Sequence, residues 1–264
     1  MEQINGFFRL LHAEDGTYIR LTPPIHGGQR IQIDEITEYL SSKRIFDYNR
    51  TLITNAMYNQ GSSTVDVKLL NQKSLPEQET MKVKVHEDGK YAVARFYPPS
   101  NDGAYMTKED IVSACVSAGI KYGLLEDVVQ EFMDNRIYCT DIVIAEAMLP
   151  TEGHDASIEY RFNTNVTRKP KMNQDGTVDF HQLDLINHVE AGDILAVLNP
   201  VDYGKPGLTV TGKIIKPKSV HNKILKHSNK THLTEDGLML ISDVSGHVTI
   251  IDEKVIAAIE ECCE

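Results

Sequence analysis

The run Tyr97-Pro98-Pro99, followed by Thr107-Lys108-Glu109-Asp110-Ile111 and then Gly119-Ile120-Lys121-Tyr122-Gly123, decides the fold. Tyr91 to Tyr97 is β-prone, and the two prolines end that strand because neither offers an N–H to a ladder. Thr107 ahead of two acids is a helix start: its hydroxyl accepts from a first-turn amide, and the acids complement the positive helix end. Ile111, Cys115 and Ala118, with Val112 beside them, trace one helical face, and Gly119 terminates it. A second helix is expected over Leu124 to Met133, with Val128, Val129 and Phe132 at core spacing. A closing strand follows over Asp141 to Ala145. Upstream, Met81 to Val85 runs into Asp88-Gly89, a hairpin signal because glycine accepts the positive φ of a tight turn. The order is β-β-α-α-β.

A shift of 75 residues lays an earlier stretch on this one. Pro23-Pro24 falls on Pro98-Pro99, Ile36 on Ile111, Ile45 on Ile120, Ile53 on Val128, Met57 on Phe132, and Asp66-Val67 on Asp141-Ile142. Asp15-Gly16 marks the first copy's hairpin, and Asp34-Glu35 its helix start. Its second helix covers Asn49 to Tyr58 and its closing strand Val65 to Leu70. Asn71 to Thr80, poor in apolar residues, reads as a linker.

After Pro150 the texture changes to short extended runs: Ile158 to Phe162, Thr177 to Phe180, His188 to Val189, Ile194 to Leu198, Thr209 to Ile215, Leu238 to Ile241 and His247 to Ile251. Turn signals separate them at Asp175-Gly176, Gly192-Asp193, Gly204-Lys205-Pro206-Gly207, Asp236-Gly237 and Ser245-Gly246. The segment from Gly204 to Thr211-Gly212 lacks the order of a phosphate loop, and Pro206 removes an amide that such a cradle uses, so a tight turn is expected. His221, His227 and His232 are read as solvated, without the acid or cysteine that completes a metal shell. No nucleophile elbow and no cysteine with an identifiable histidine partner is present.

The chain has 264 residues, 27 basic and 38 acidic, for a formal net charge of −11. That balance disfavours nucleic acid and anionic membranes, although basic residues thicken at Arg168, Lys169 and Lys171 and again from Lys213 to Lys230. No run is apolar enough to span a bilayer, and the N-terminal residues do not read as a signal peptide. Cys115, Cys139, Cys262 and Cys263 fit reduced thiols and a cytoplasmic address.

These blocks resemble the flagellar assembly protein A family. The resemblance rests on Tyr97-Pro98-Pro99, the capped helix, Gly119 to Gly123, Ile158 to Phe162, Lys169-Pro170-Lys171, Asp175 to Phe180 and Gly192 to Ala196. Gly204, Pro206 and Gly207 with Val210-Thr211-Gly212 form its most specific piece, and Asp236-Gly237 and Gly246-His247-Val248 close it. Pro98, Pro99, Gly119, Tyr122, Gly123, Gly204, Pro206, Gly207, Thr211, Gly212, Asp236, Gly237 and Gly246 are therefore the candidate motif positions, structural in kind. Asp155-Ala156-Ser157 departs from the family's usual Asp-Gly turn, and Asn199 to Tyr203 from its proline-rich loop.

The expected class is α+β: two repeated β-β-α-α-β modules (1–70 and 81–150, with linker 71–80), then a β-rich domain (151–251) leading into a right-handed β-solenoid. Residues 252–264 are expected as a tail or cap, with Val255, Ile256 and Ile259 on an amphipathic face. Family members continue into solenoid and helices, so a chain ending at Cys262-Cys263-Glu264 is expected to play a partial or altered role. The resemblance implies a non-catalytic scaffold or regulatory protein with no cofactor and no metal. It would work through protein partners, with a homo-oligomer among the arrangements open to it and no membrane insertion. The alternative is a polysaccharide- or nucleic-acid-binding module using the basic stretch 213–230.

Overall fold

The computed structural model describes residues 3–164, 187–251 and 254–259. In chain order its elements are β1 (Phe7–Ala13), β2 (Gly16–Thr22), α1 (Ile33–Ser42), α2 (Arg50–Asn59), β3 (Val65–Leu70), β4 (Thr80–Val85), β5 (Tyr91–Tyr97), α3 (Lys108–Ser117), α4 (Glu126–Asp134) and β6 (Asp141–Glu146). They continue as β7 (Ser157–Tyr160), β8 (Asn187–Val189), β9 (Ile194–Asn199), β10 (Gly207–Leu208), β11 (Ile214–Ile215), β12 (Lys226–His227), β13 (Thr231–Leu233), β14 (Met239–Ser242), β15 (Gly246–Ile251) and β16 (Lys254–Ile259). The chain is α+β. It divides into two units, residues 1–149 with 207–215 and residues 150–206 with 216–264. Arg168, the Lys169-Pro170-Lys171 block, the Asp175-to-Phe180 run and the Cys262-Cys263 pair lie outside the described residues.

The first unit holds two antiparallel sheets, β1-β2-β3 and β4-β5-β6. β1 and β2 pair from Phe7↔Thr22 to Ala13↔Gly16, so the turn is Glu14-Asp15, one residue earlier than expected. Gly16 is needed instead for a close approach, because a Cβ there would lie 2.2 Å from the Leu70 carbonyl oxygen. Alternate strand residues face the helices. Phe8, Leu10, Ile19 and Leu21 are buried with Ile36, Leu40 and Ile53 in one core. Ala92, Ala94 and Phe96 are buried with Ile111, Cys115, Val129 and Phe132 in the other. Each large apolar side chain sealed this way contributes about 1.5–3 kcal/mol.

The helix ends follow local chemistry. The Thr107 hydroxyl accepts from the Asp110 N–H at 3.2 Å while the Asp110 carboxylate accepts from the Thr107 N–H at 2.9 Å, a closed capping box. The Thr107 bonds hold the Asp110 carboxyl below the usual range. α1 starts from Gln32, with Asp34 and Glu35 one step inside as first-turn acids rather than caps. Past α3, Gly119 takes φ +91°, and Ile120 N–H returns to the Cys115 carbonyl at 3.1 Å. Past α1, Arg44 takes the same left-handed turn at φ +58°, and Ile45 N–H returns to Leu40. A side chain in that region costs about 1–2 kcal/mol. Arg44→Gly is therefore expected to raise the urea midpoint by up to about 1 kcal/mol of stability, and Gly119→Ala to lower it by about 1 kcal/mol. Opposite signs for the two substitutions are the diagnostic result; two losses contradict the assignment.

The two sheets of this unit are tied together. Arg95 on β5 makes a bidentate pair with Glu35 of α1 at 2.6 and 2.9 Å and a further bond to Asp141 of β6 at 2.9 Å. Phe8, Tyr39 and Tyr97 form an aromatic triangle with ring centroids 5.1–5.8 Å apart. Cys139, at φ +50°, is buried in the first core. The segment read as a linker is also docked. Glu77 exchanges bonds with Ser100, and Glu79 N–H donates to the Ala104 carbonyl at 2.8 Å while its side chain is fully buried. Composition makes Asn71 to Thr80 look polar, but burial of Glu79 depends on partners far along the chain.

In the second unit, β13-β14-β9-β7 and β12-β16-β15-β8 form two four-stranded sheets. Pairing is antiparallel except for β12 with β16. Leu195, Ala196, Leu225, Leu240, Val248 and Val255 form its core. Lys254–Ile259 is a sheet strand, with Val255 and Ala257 buried at period two. Of the run Thr209 to Ile215, expected as one strand, only Ile214–Ile215 (β11) is extended; it pairs back on β10 at Gly207–Leu208 across a turn over 209–213, and that hairpin belongs to the first unit.

Candidate functional site

The separated blocks of the family motif meet where the β10–β11 hairpin docks on the first unit. Gly119 ends α3 and turns the chain so that Lys121 and Tyr122 both donate their N–H to the Val210 carbonyl, at 2.8 and 3.1 Å. Val210 N–H donates to the Gly89 carbonyl at 2.9 Å, and the Val210 side chain is fully buried in the second core. Leu208 and Met148 exchange both backbone bonds at 2.8 and 2.9 Å. The hairpin is internally fixed by Thr209: its hydroxyl accepts from Lys213 N–H at 2.9 Å and lies 3.0 Å from the Thr211 hydroxyl. Gly212 closes the turn at φ +81° and donates to Thr209 at 2.9 Å. Five inter-segment backbone bonds and one buried valine make this a clasp.

Gly123 is the clasp's tightest point. It sits at φ +73°, its carbonyl accepts from Glu146 N–H at 2.9 Å, and a Cβ added to it would lie only 1.8 Å from the Glu146 carbonyl oxygen. Leu124 then bridges to Ala145 and Leu125 N–H bonds Ile144 at 2.9 Å, seating α4 on β6. The Tyr122 hydroxyl lies 3.5 Å from the Met148 sulfur. The structure thus brings together Gly119, Tyr122, Gly123, Gly207, Thr211 and Gly212. Pro98 and Pro99 are buried just past β5, and Ser100 beyond them holds Glu77.

The remaining motif positions shape turns of the second unit. Gly204, at φ +64°, follows Asp202, whose carboxylate accepts its N–H at 2.9 Å, and Lys205 bridges to Thr151. Pro206 is exposed. Asp236 accepts from the Thr234 hydroxyl and from Leu238 N–H at 3.0 Å, with Gly237 completing the turn before β14. Its partners, the Thr234 hydroxyl first, hold the Asp236 carboxyl low. Gly246 opens β15 between Val189 and Ile259.

The histidines have separate local partners: His221 stands 3.5 Å from Asp155, His232 lies 2.5 Å from Asp243, and His227 faces the Thr231 carbonyl at 3.2 Å. Among the described residues, no group of three or more His, Cys, Asp or Glu is placed to hold a metal ion. Cys115 and Cys139 are buried, and burial pushes the Cys139 thiol up to about 12 and the Cys115 thiol above its ordinary value. Among the described residues, no helix is long and apolar enough to cross a membrane.

Fold and clasp together define an α+β protein in which glycine-rich turns from distant parts of the chain interlock around a helical module. The family model described as the flagellar assembly protein A N-terminal region matches residues 81–253, and the chain belongs to that family. No curated protein and no solved structure matches the chain.

Proposed function

We propose that the chain is a non-catalytic scaffold or regulatory protein of flagellar assembly that acts by binding other proteins. The observation that carries this is the family match over 81–253. On this reading the address is cytoplasmic, and the first unit consists of two copies of one β-β-α-α-β module. Details recurring at a constant offset of 75 residues support the duplication. Arg20–Asp66 and Arg95–Asp141 pair across equivalent strands, the ladders shift register at Thr17/Tyr18 and at Ala92/Val93, and Arg44 and Gly119 take the same left-handed turn. The second unit is proposed to lead into a right-handed β-solenoid; the parallel β12–β16 pairing is the kind of ladder that a solenoid extends.

Partner binding is proposed to use the helical side of the first module, where Phe46, Leu52 and Tyr58 are strongly exposed. The test uses the full chain: affinity purification with mass spectrometry from native cells, comparing wild type with a Leu52→Glu/Tyr58→Ser double variant. Loss of a defined set of partners that includes flagellar assembly components supports the proposal. Identical partner profiles overturn it.

A further inference from the structure

The end of α3 forms one wall of a groove of about 220 Å³ lined by Val112, Cys115, Val116, Ile120, Tyr122 and Leu124. Val116 is 63% exposed and Tyr122 37% exposed. Glu109 lies on the same helix face, three residues before Val112 and seven before Val116. Glu126 and Asp127 open α4 next to Leu124, and Glu146 is held against Gly123 by its backbone bond; all four acids are exposed. Lys121 also lines the groove, and Glu126 is shared with Lys108 at 2.9 Å, yet the rim remains acidic. This is an apolar slot with a negative border.

The same chain carries the complementary feature. Lys213, Lys216, Lys218, Lys223, Lys226 and Lys230 follow one another with no acid before Glu235, in a chain of formal net charge −11. Residues 216–225 are described and form neither strand nor helix, and His221 to Ile224 are all exposed. Ile224 is 68% exposed in the middle of those cations. The segment is anchored by its backbone, Lys218 N–H to Glu152 and His221 N–H to Asp155, and by buried Leu225, while Lys216, Lys218, Lys223 and Ile224 are exposed.

We propose that Lys216–Ile224 of one copy docks in the α3 groove of a second copy, with Ile224 against Val116 and Tyr122 and Lys216, Lys218 and Lys223 facing Glu109, Glu126, Asp127 and Glu146. Charge complementarity selects a second copy as the occupant: two copies of a net acidic chain repel overall, and this basic segment is attracted to the acidic rim of the groove. Groove and segment are different surfaces, so the contact is heterologous and builds head-to-tail assemblies. The inference rests on the protein-binding reading above, but sedimentation counts copies whereas the pull-down reports other proteins, so the two fail separately.

The experiment is sedimentation velocity on the full chain from about 1 to 100 μM, nuclease-treated, at low and high salt. Wild type is expected to associate with rising concentration, and about 0.5 M salt is expected to weaken that association at least tenfold. Val116→Glu and Ile224→Glu each change an exposed side chain, so both are expected to keep the wild-type melting curve while sedimenting as monomers. Mixed in equal amounts they are expected to form a discrete heterodimer, because one supplies an intact segment and the other an intact groove. A wild type that stays monomeric overturns the proposal, as does a mixture that stays monomeric or association that nuclease abolishes.

Discussion

Gly123→Ala is expected to destabilise the first unit by about 3 kcal/mol or more, against about 1 kcal/mol for Gly119→Ala and Gly237→Ala. All three glycines have left-handed backbone, at φ +73°, +91° and +70°. A Cβ on Gly119 or Gly237 meets no described atom within 4 Å, whereas one on Gly123 would lie 1.8 Å from the Glu146 carbonyl oxygen. The conformational cost is therefore common to the three, and the difference isolates the close approach. Relief requires pulling Gly123 off Glu146, which breaks their bond and disturbs Leu124 at Ala145 and α4 behind it. Urea unfolding followed at two probes measures the series. Equal losses at the three positions would falsify the clasp's tight point.

The second large effect is expected at Glu79. Its side chain is fully buried and accepts from the Tyr138 hydroxyl at 2.7 Å, the Arg136 guanidinium at 3.1 Å and Met106 N–H at 2.8 Å. Burial first, and the neighbouring carboxylate second, push the Tyr138 phenol well above its ordinary value. Arg136 lies over the Tyr105 ring at 4.7 Å, which fixes the guanidinium in place. Glu79→Ala removes the acceptor these groups share and leaves the mostly buried Arg136 without a carboxylate, held by the Met133 and Met106 carbonyls at 2.9 and 3.3 Å, a loss of about 3 kcal/mol. Arg136→Ala added to it is expected to cost clearly less than its single-variant value, with a coupling of about 1–3 kcal/mol. Full additivity in the double-mutant cycle would show that Glu79 acts through something other than this network.

The local grammar of the fold was legible in the sequence. Thr107 before two acids reported the start of α3, the double proline reported the end of β5, and Gly119 reported a left-handed terminator. Those features are decided within a few residues by hydrogen-bonding capacity and φ preference. Arg44 shows the limit, since nothing about an arginine advertises φ +58° and only the 75-residue alignment to Gly119 points to it. The clasp was legible as a set of motif positions but not as a site. Val210 reaches Lys121, Tyr122 and Gly89 across roughly a hundred residues, and no periodicity within a run encodes a partner that distant. The alternating texture of Thr209 to Ile215 pointed to a strand, but only Ile214–Ile215 is one; the Thr209 hydroxyl bonds that fold 209–213 into a turn are invisible to a pattern of apolar and polar residues. The stretch Asn71 to Thr80 read as a linker because it is poor in apolar residues, and that composition does not reveal that Glu79 is buried among Met106, Arg136 and Tyr138.

The β10–β11 hairpin belongs to the first unit's core through Val210, rather than lying on it as a loop. Native-state hydrogen exchange on the intact chain tests this directly, because Leu208 and Val210 donate to Met148 and Gly89 within the clasp. Their amides are predicted to exchange as slowly as those of β5, and to lose that protection together with β5 in Gly123→Ala. Exchange of Leu208 and Val210 at the rate of the exposed 222–224 amides, while β5 stays protected, would contradict it.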